Sequence, residues 1–327
     1  MRMPQRNGRD YTRRVSAPEA QSERPPALLS FDVEDWGQLM RRSLGDRSFT
    51  PSGADFERQL AAVLDLLDEL GAGATFFLLG ATVERYPAAM AELAARGHEV
   101  ASHGYAHDRV STQSEGEFRE DVQRSVEIIG ELTGRRPAGY RAPLFSVTRD
   151  TPWAYEVLAD LGFRYDSSQY DSPRIPGRLE GVPAAPYRLR LASGRELWEL
   201  PVAVCRVLGR TVPVGGGSYW RLLPGRVLVG ALRRSRRSTT HPVLYFHPYE
   251  CDPRLLRAAL PPSSGARERL VALAWHVWFN PGRKRVVSRI RRVAQEFRLV
   301  SYEEAHGEIA ERYGSRTRAL SEDGVLV

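Results

Sequence analysis

The sequence predicts an α/β protein in which short apolar strands alternate with amphipathic helices, and three observations carry that expectation. Apolar runs recur between helical patterns from Ala27 onward, giving about seven βα-like units in succession. Acidic residues and histidines cluster just past the ends of several of those runs, where parallel sheets do their chemistry. The composition, 42% apolar and 27% charged over 327 residues, is that of a globular chain able to bury a sizeable core. A barrel and a doubly wound sheet both satisfy this pattern, and right-handed crossovers place the strand ends on one face in either.

Taken in order, residues 1–26 end in Arg24-Pro25-Pro26 and read as a disordered, Arg-rich tail. Ala27 to Asp32 is the first strand. Phe56, Leu60, Val63, Leu64, Leu67 and Leu70 recur at helical spacing, and Gly71 and Gly73 stop that helix before the strand Ala74–Leu79. A helix from about Glu84 to Arg96 has Pro87 in its first turn, and His98 to Ser102 is a third strand that delivers His103. Ser114-Glu115-Gly116-Glu117 is a capping box opening a helix whose apolar face carries Phe118, Val122, Val126 and Ile129. A short strand ends at Tyr140-Arg141-Ala142-Pro143, and Asp150 with Pro152 opens a helix to Leu161. Further strands are expected at Phe163–Tyr165, Leu197–Val204, Val243–Phe246 and Phe297–Ser301. Residues 27–313 are thus expected to form one domain, with an insert and C-terminal part at about 206–300, followed by a C-terminal tail at 314–327.

Several classes are disfavoured by composition. No run approaches the roughly 18 apolar residues of a membrane-spanning helix. Met1 to Glu23 is polar and Arg-rich with no apolar centre, unlike a secretory signal, so a cytoplasmic protein is expected. Cys205 and Cys251 make neither a disulfide framework nor a zinc motif and read as buried thiols. The net charge of +7 is uneven: residues 206–240 hold eight Arg and no acid, and 281–298 hold seven basic residues against Glu296. Such Arg-rich bias is a weak argument for nucleic acid, and no nucleic-acid partner is expected. Leu222 to Leu232 followed by Arg233-Arg234-Ser235-Arg236-Arg237 could lie on an anionic membrane leaflet; the alternative is a solvated basic helix.

The chemistry-bearing residues form two clusters. In Ser102-His103-Gly104-Tyr105-Ala106-His107, histidines four apart fall on one face of a helical turn, with about 5–6 Å between Cβ atoms, so both can reach one metal ion. A third ligand is expected from Phe31-Asp32-Val33-Glu34-Asp35. Alternate residues of a strand share a face, so Asp32 and Glu34 project together while Asp35 points away. One of the pair would bind metal and the other act as base toward water; the alternative for Asp35 or Asp32 is to cap the following segment. His247 ends the apolar strand Leu244-Tyr245-Phe246, where a catalytic acid would be placed, although a packed core histidine fits as well. Arg141 could pair with Asp32 and hold it ionised, or form a structural salt bridge. His98, His241, His276 and His306 have no comparable context.

Five ordered motifs make a family resemblance specific: Ser30-Phe31-Asp32-Val33-Glu34-Asp35, Ala74-Thr75-Phe76-Phe77, Gly97 through His107, Gly139-Tyr140-Arg141-Ala142-Pro143 and Tyr245-Phe246-His247-Pro248. Over roughly residues 27–305 the chain resembles the polysaccharide deacetylases, the NodB-homology carbohydrate esterases. Tyr165-Asp166-Ser167-Ser168, Gly215 through Pro224 and His247 through Pro253 are similar to signatures of the branch associated with exopolysaccharide and exosortase loci. The resemblance implies a distorted (β/α) barrel, a divalent metal, commonly zinc, and hydrolysis of N-acetyl groups from an amino-sugar polysaccharide or its lipid-linked or nucleotide-linked precursor. Carried over, Asp32 matches the general base, His103 and His107 metal ligands, Arg141 the residue orienting the base and His247 the general acid. Where the family has a second aspartate this chain has Val33, so Glu34 is expected as the third ligand with Asp35 in reserve. Two rival readings are a non-haem iron enzyme, which shares the two-histidine, one-carboxylate donor set, and a glycan-binding pseudoenzyme.

Overall fold

The computed structural model describes residues 23–45, 55–171, 177–257, 260, 262–321 and 323–327, so most of the expected N-terminal tail lies outside the described residues. The chain enters through β1 (Pro26–Val33), buried from Ala27 onward. Its first half is apolar without alternation, as a central parallel strand requires, and only toward its end do Ser30 and Asp32 alternate with Phe31 and Val33. The first half continues with α1 (Trp36–Ser43), α2 (Asp55–Leu70), β2 (Thr75–Leu78), α3 (Gly80–Arg85), α4 (Pro87–Ala95), β3 (Glu99–Ser102), α5 (Glu115–Thr133), β4 (Gly139–Tyr140), α6 (Trp153–Asp160) and β5 (Tyr165–Asp166). The second half adds β6 (Tyr187–Arg190), β7 (Glu196–Glu199), β8 (Val204–Val207), β9 (Arg210–Pro213), α7 (Ser218–Leu222), α8 (Gly225–Ser235), β10 (Val243–Phe246), α9 (Pro248–Cys251), α10 (Ala266–Phe279), α11 (Val286–Ala294), β11 (Arg298–Val300), α12 (Tyr302–Tyr313) and β12 (Thr317–Ala319).

The strands of the main sheet run β10-β1-β2-β3-β4-β5-β7-β6-β12, with β11 joined to the start of β1. From β10 to β7 every pairing is parallel, which makes the strand set of a distorted (β/α) barrel. Then β6 runs antiparallel to β7, and β12 parallel to β6. Because the seven strands of the parallel run point one way, their C-terminal ends share one rim, and that rim holds the site.

Four expectations need correction. The helix expected over Glu84–Arg96 breaks at Tyr86 into α3 and α4, because Pro87 starts a new helix where its missing N–H costs nothing. Leu197–Val204 is not one strand: β7 belongs to the main sheet, whereas β8 pairs only with β9 in a separate hairpin. Residues 314–327, expected as a tail, supply β12, and Leu320 beside it is buried. Finally, the element expected on a membrane leaflet is α8, and its apolar residues Leu228, Val229 and Leu232 are buried in the main core with Ile290 and Val293 of α11. Arg226, Arg233 and Arg234 are exposed, and among the large apolar residues of this helix only Val227 is exposed, at 45%, which makes no continuous apolar face for lipid.

On the helical side of the sheet, Phe31, Phe76 and Phe246 are fully buried, with Phe31 stacked on Phe76 at 5.3 Å. Both thiols are free and buried. Phe76→Ala is expected to cost about 3–5 kcal/mol through lost burial and a residual cavity, read as a lower urea midpoint at unchanged slope. A loss below about 1 kcal/mol would show that the sheet repacks around the vacancy.

Candidate metal centre and active site

Four parallel strands deliver the site. Asp32 is near the end of β1 with Glu34 just beyond it; His103 follows β3, Arg141 follows β4 and His247 follows β10. The structure therefore brings together all six residues singled out from the sequence.

Arg141 is fully buried and has an acceptor for each of its five N–H groups. Nε donates to Ser167 O at 3.0 Å; Nη1 donates to Asp32 Oδ1 at 2.7 Å and Ser30 Oγ at 2.9 Å; Nη2 donates to Ser167 Oγ and Tyr302 OH, both at 2.9 Å. Burial works against its charge, but the Asp32 carboxylate beside it more than compensates and raises its pKa. Ser168 Oγ completes the support by accepting the Ala142 N–H at 2.8 Å. The Asp166-Ser167-Ser168 run thus holds the segment that carries Arg141.

Glu34, His103 and His107 place one ligand atom each within 4.8 Å of one another. Glu34 Oε1 lies 3.2 Å from His103 Nε2 and 2.8 Å from His107 Nε2. The donor set fits a divalent cation for a reason internal to the site. His103 Nδ1 lies 2.7 Å from the Arg141 carbonyl oxygen, which can only accept, so Nδ1 carries the proton and neutral Nε2 turns a lone pair toward a carboxylate oxygen. A proton or a cation between them relieves that opposition. Burial pushes the Glu34 carboxyl up, but the charges of His247 and His107, and the hydrogen bonds that His103 and His107 donate when a proton sits on Nε2, outweigh it and hold it well below the usual carboxylate range.

The two histidines do not sit on a helical turn. Residues 103–107 form a loop in which Gly104 has φ 76° and His107 φ 60°. Asp121 of α5 pins it, accepting the N–H groups of Tyr105 at 2.8 Å and Ala106 at 3.1 Å. A Cβ on Gly104 would meet that carboxylate at 2.7 Å, so glycine is needed there twice over. Asp35 is not at the metal cluster. It caps α1, accepting Gly37 N–H at 3.0 Å and Gln38 N–H at 3.4 Å, and takes a hydrogen bond from Tyr86 OH. Val33 is buried in the main core, on the opposite face of β1 from the site.

On the other side of Glu34, its Oε2 lies 3.3 Å from His247 Nε2. Nδ1 of that imidazole points at Glu250 Oε2, 3.1 Å away, and Glu250 also accepts the His247 backbone N–H at 3.1 Å. Sequence reading missed Glu250; its signal is the spacing of three from His247 across Pro248, a cap at the start of α9. Burial alone pushes His247 down, whereas the charge of Glu34, the hydrogen bond to Glu250 and the charges of Glu250 and Asp32 bring it up to about 9.

A (β/α) barrel with a two-histidine, one-carboxylate donor set at its C-terminal rim defines a class of candidate metal-dependent hydrolase. The sequence matches the polysaccharide deacetylase family over residues 50–165 and a domain of unknown function, DUF3473, over residues 168–306. It is 34% identical to a peptidoglycan deacetylase-like protein of Gibberella zeae, over 47% of this chain and 46% of that protein. It is 34% identical to a peptidoglycan deacetylase of Helicobacter pylori, over 32% of this chain and 35% of that protein. The matches span less than half the length of these curated relatives. Among solved structures, the fold is similar to a putative polysaccharide deacetylase from Mycobacterium smegmatis, with TM-score 0.60 and 24% identity over 93% of this chain and 96% of that one. A probable polysaccharide deacetylase from Pseudomonas aeruginosa gives TM-score 0.58 at 16% identity, over 89% and 93% of the two chains. Residues 50–165 thus match the polysaccharide deacetylase family, and the two solved structures share the fold of this chain.

Glu34→Ala is expected to lower zinc affinity by at least about 100-fold in chelator competition, since it removes a ligand rather than its support. Asp35→Asn should leave zinc content unchanged and cost about 0.5–2 kcal/mol as a weakened cap. Zinc loss in Asp35→Asn with retention in Glu34→Ala would reverse the ligand assignment.

Proposed function

We propose that this protein hydrolyses N-acetyl groups from an amino-sugar polysaccharide or from its lipid-linked or nucleotide-linked precursor. One observation carries the reading: the donor set is flanked by an oriented carboxylate, Asp32 on Arg141, and by an oriented imidazole, His247 on Glu250. That is a base and an acid on opposite sides of one polar rim, the pair an amide hydrolysis needs. The names of the curated relatives, peptidoglycan deacetylases, support an N-acetylated glycan as substrate.

What Glu34, His103 and His107 would hold is a divalent cation, with zinc favoured by two imidazoles and one carboxylate; when bound it supplies Lewis acidity toward a carbonyl oxygen and a water. Asp32 takes the proton of the attacking water, and the Arg141 guanidinium keeps its carboxylate ionised and aimed. The backbone turns sharply beside it, at Leu144 with φ 57°, where an N–H can meet the developing oxyanion. His247 gives its Nε2 proton to the departing nitrogen while Glu250 holds Nδ1. The carbon–nitrogen bond breaks, leaving acetate and a free amino sugar.

The test is acetate release from N-acetylglucosamine oligomers and from lipid- and nucleotide-linked N-acetyl sugars, with and without added Zn²⁺, Co²⁺ or Mn²⁺. Asp32→Asn is expected to lower kcat by about 10²–10⁴-fold with metal content intact, the usual weight of general base catalysis; turnover within tenfold (about) of wild type would remove Asp32 from that role. Glu250→Gln is expected to lower kcat about tenfold or more with KM little changed, because it loosens the acid without touching binding. Turnover that required iron and O₂ would favour the oxygenase reading, and sugar binding without acetate release the pseudoenzyme.

A further inference from the structure

Helix α10 is apolar around nearly its whole circumference from Leu270 onward. On its inner side Trp275 and Phe279 pack against Trp36, with ring centroids 6.1 and 6.2 Å apart. On its outer side Leu270, Leu273, Val277 and Trp278 are 56–67% exposed. With exposed Ala274 they follow i, i+3, i+4, i+7, i+8, a single continuous stripe along the helix. Ala272 alone is buried among the fourteen residues of α10. A helix with a second apolar face is built to bury it, and among the described residues nothing covers this one. The backbone of Leu256 bonds to the side chains of His276 and Asn280 at the end of the helix, and its neighbour Leu255 is 54% exposed.

The surroundings are strongly basic. Residues 253–295 carry ten Arg or Lys against the single acid Glu268. Arg254, Arg257, Arg267, Arg269, Lys284 and Arg285 are exposed around or near the two ends of α10.

We propose that α10 and this basic surround form the docking face for an anionic lipid bilayer, with the helix lying in the interface plane and its outer stripe among the acyl chains. An apolar stripe on a projecting helix, with a tryptophan near one end and arginines able to reach headgroups, is the pattern of an interfacial anchor. A second copy of this chain would bring the same positive charge to the contact and be repelled. No helix among the described residues is long and apolar enough to cross a membrane, so the contact is peripheral.

The face is coupled to the candidate site through two short links. Phe279 packs edge-on against Tyr249, whose ring stacks on His247 at 4.8 Å. Arg221 donates to the carbonyls of Trp278 and Phe279 at 2.7 and 2.8 Å, and its Nε lies 3.8 Å from Glu250 Oε1. A bilayer seated on the outer side of α10 is therefore separated from the imidazole by the helix and two aromatic rings, Phe279 and Tyr249, which suits an amino sugar carried on a lipid.

The experiment is flotation of the full chain with vesicles of phosphatidylcholine, with and without about 30% phosphatidylglycerol. Binding is expected only to the anionic vesicles, with a blue shift of tryptophan emission that Trp278→Phe reduces. Leu273→Ser combined with Trp278→Ser is expected to weaken binding about tenfold or more, while its thermal midpoint and acetate release from soluble oligomers stay at wild-type values. Absence of binding by wild type, equal binding to both vesicles, or undiminished binding by the double variant would overturn the proposal. So would a wild-type dimer that the double variant dissociates, which would make a second copy the occupant. Vesicle binding is read without substrate, so its failure leaves the deacetylase reading standing, and the reverse also holds.

Discussion

The site depends on one buried cation. Arg141 has no solvent contact, and a guanidinium in that position costs several kcal/mol unless every N–H is met and a counter-charge stands beside it. Both conditions hold, and meeting them ties four parts of the fold together: Ser30 and Asp32 on β1, Phe77 on β2 beneath the guanidinium at 4.1 Å, Ser167 after β5, and Tyr302 at the start of α12. The same residue acts a second time through its backbone, since its carbonyl fixes the tautomer of His103. One residue thus sets the orientation of the expected base and of an expected ligand. Lysine could supply the charge there but not the fork of donors.

Glu34 is the complementary anion, and it is shared. Its two oxygens face three imidazoles, those of His103 and His107 at Oε1 and that of His247 at Oε2. A cation held by the first two histidines would draw Glu34 away from His247 electrostatically, leaving Glu250 as the main partner of that imidazole. The substitution of Val33 for an acid fits this arrangement. Strand parity turns residue 33 into the helical core, where an ionised group would be unpaired, whereas Glu34, past the end of β1, swings its longer arm back to the histidines.

Much of this was legible because β1, β2 and β10 are built on apolar runs and the functional residues lie at or just past the ends of β1, β3 and β10. The capping box at Ser114 and Glu117 was legible because it is local, and both of its hydrogen bonds form. What was hidden depends on distant partners. β12 is three residues long and includes an arginine, so nothing but its pairing with β6 makes it a strand. His103 and His107 have helical spacing but a loop conformation, because Asp121, fourteen residues beyond His107, takes the amides a helix would have used. The contrast between α8 and α10 was hidden as well. The evenly amphipathic α8 is a core helix, while α10 lacks a polar face, so periodicity could not say which side of it is outward.

The division into two matched regions does not divide the site. Asp32 and Glu34 precede the first region, His103, His107 and Arg141 lie within it, and Ser167 falls at the seam before the second. The second region supplies His247, Glu250 and Tyr302. The reason is topological: β10, late in sequence, pairs with β1 on the side away from β2, so the strand bearing His247 stands beside the one bearing Asp32 although more than 200 residues separate them. The region 168–306 is therefore part of the catalytic rim rather than an appendage. Helix α10, fixed by Arg221 to the partner of His247 and by Trp36 to the strand end that carries Glu34, extends that rim to the outer surface.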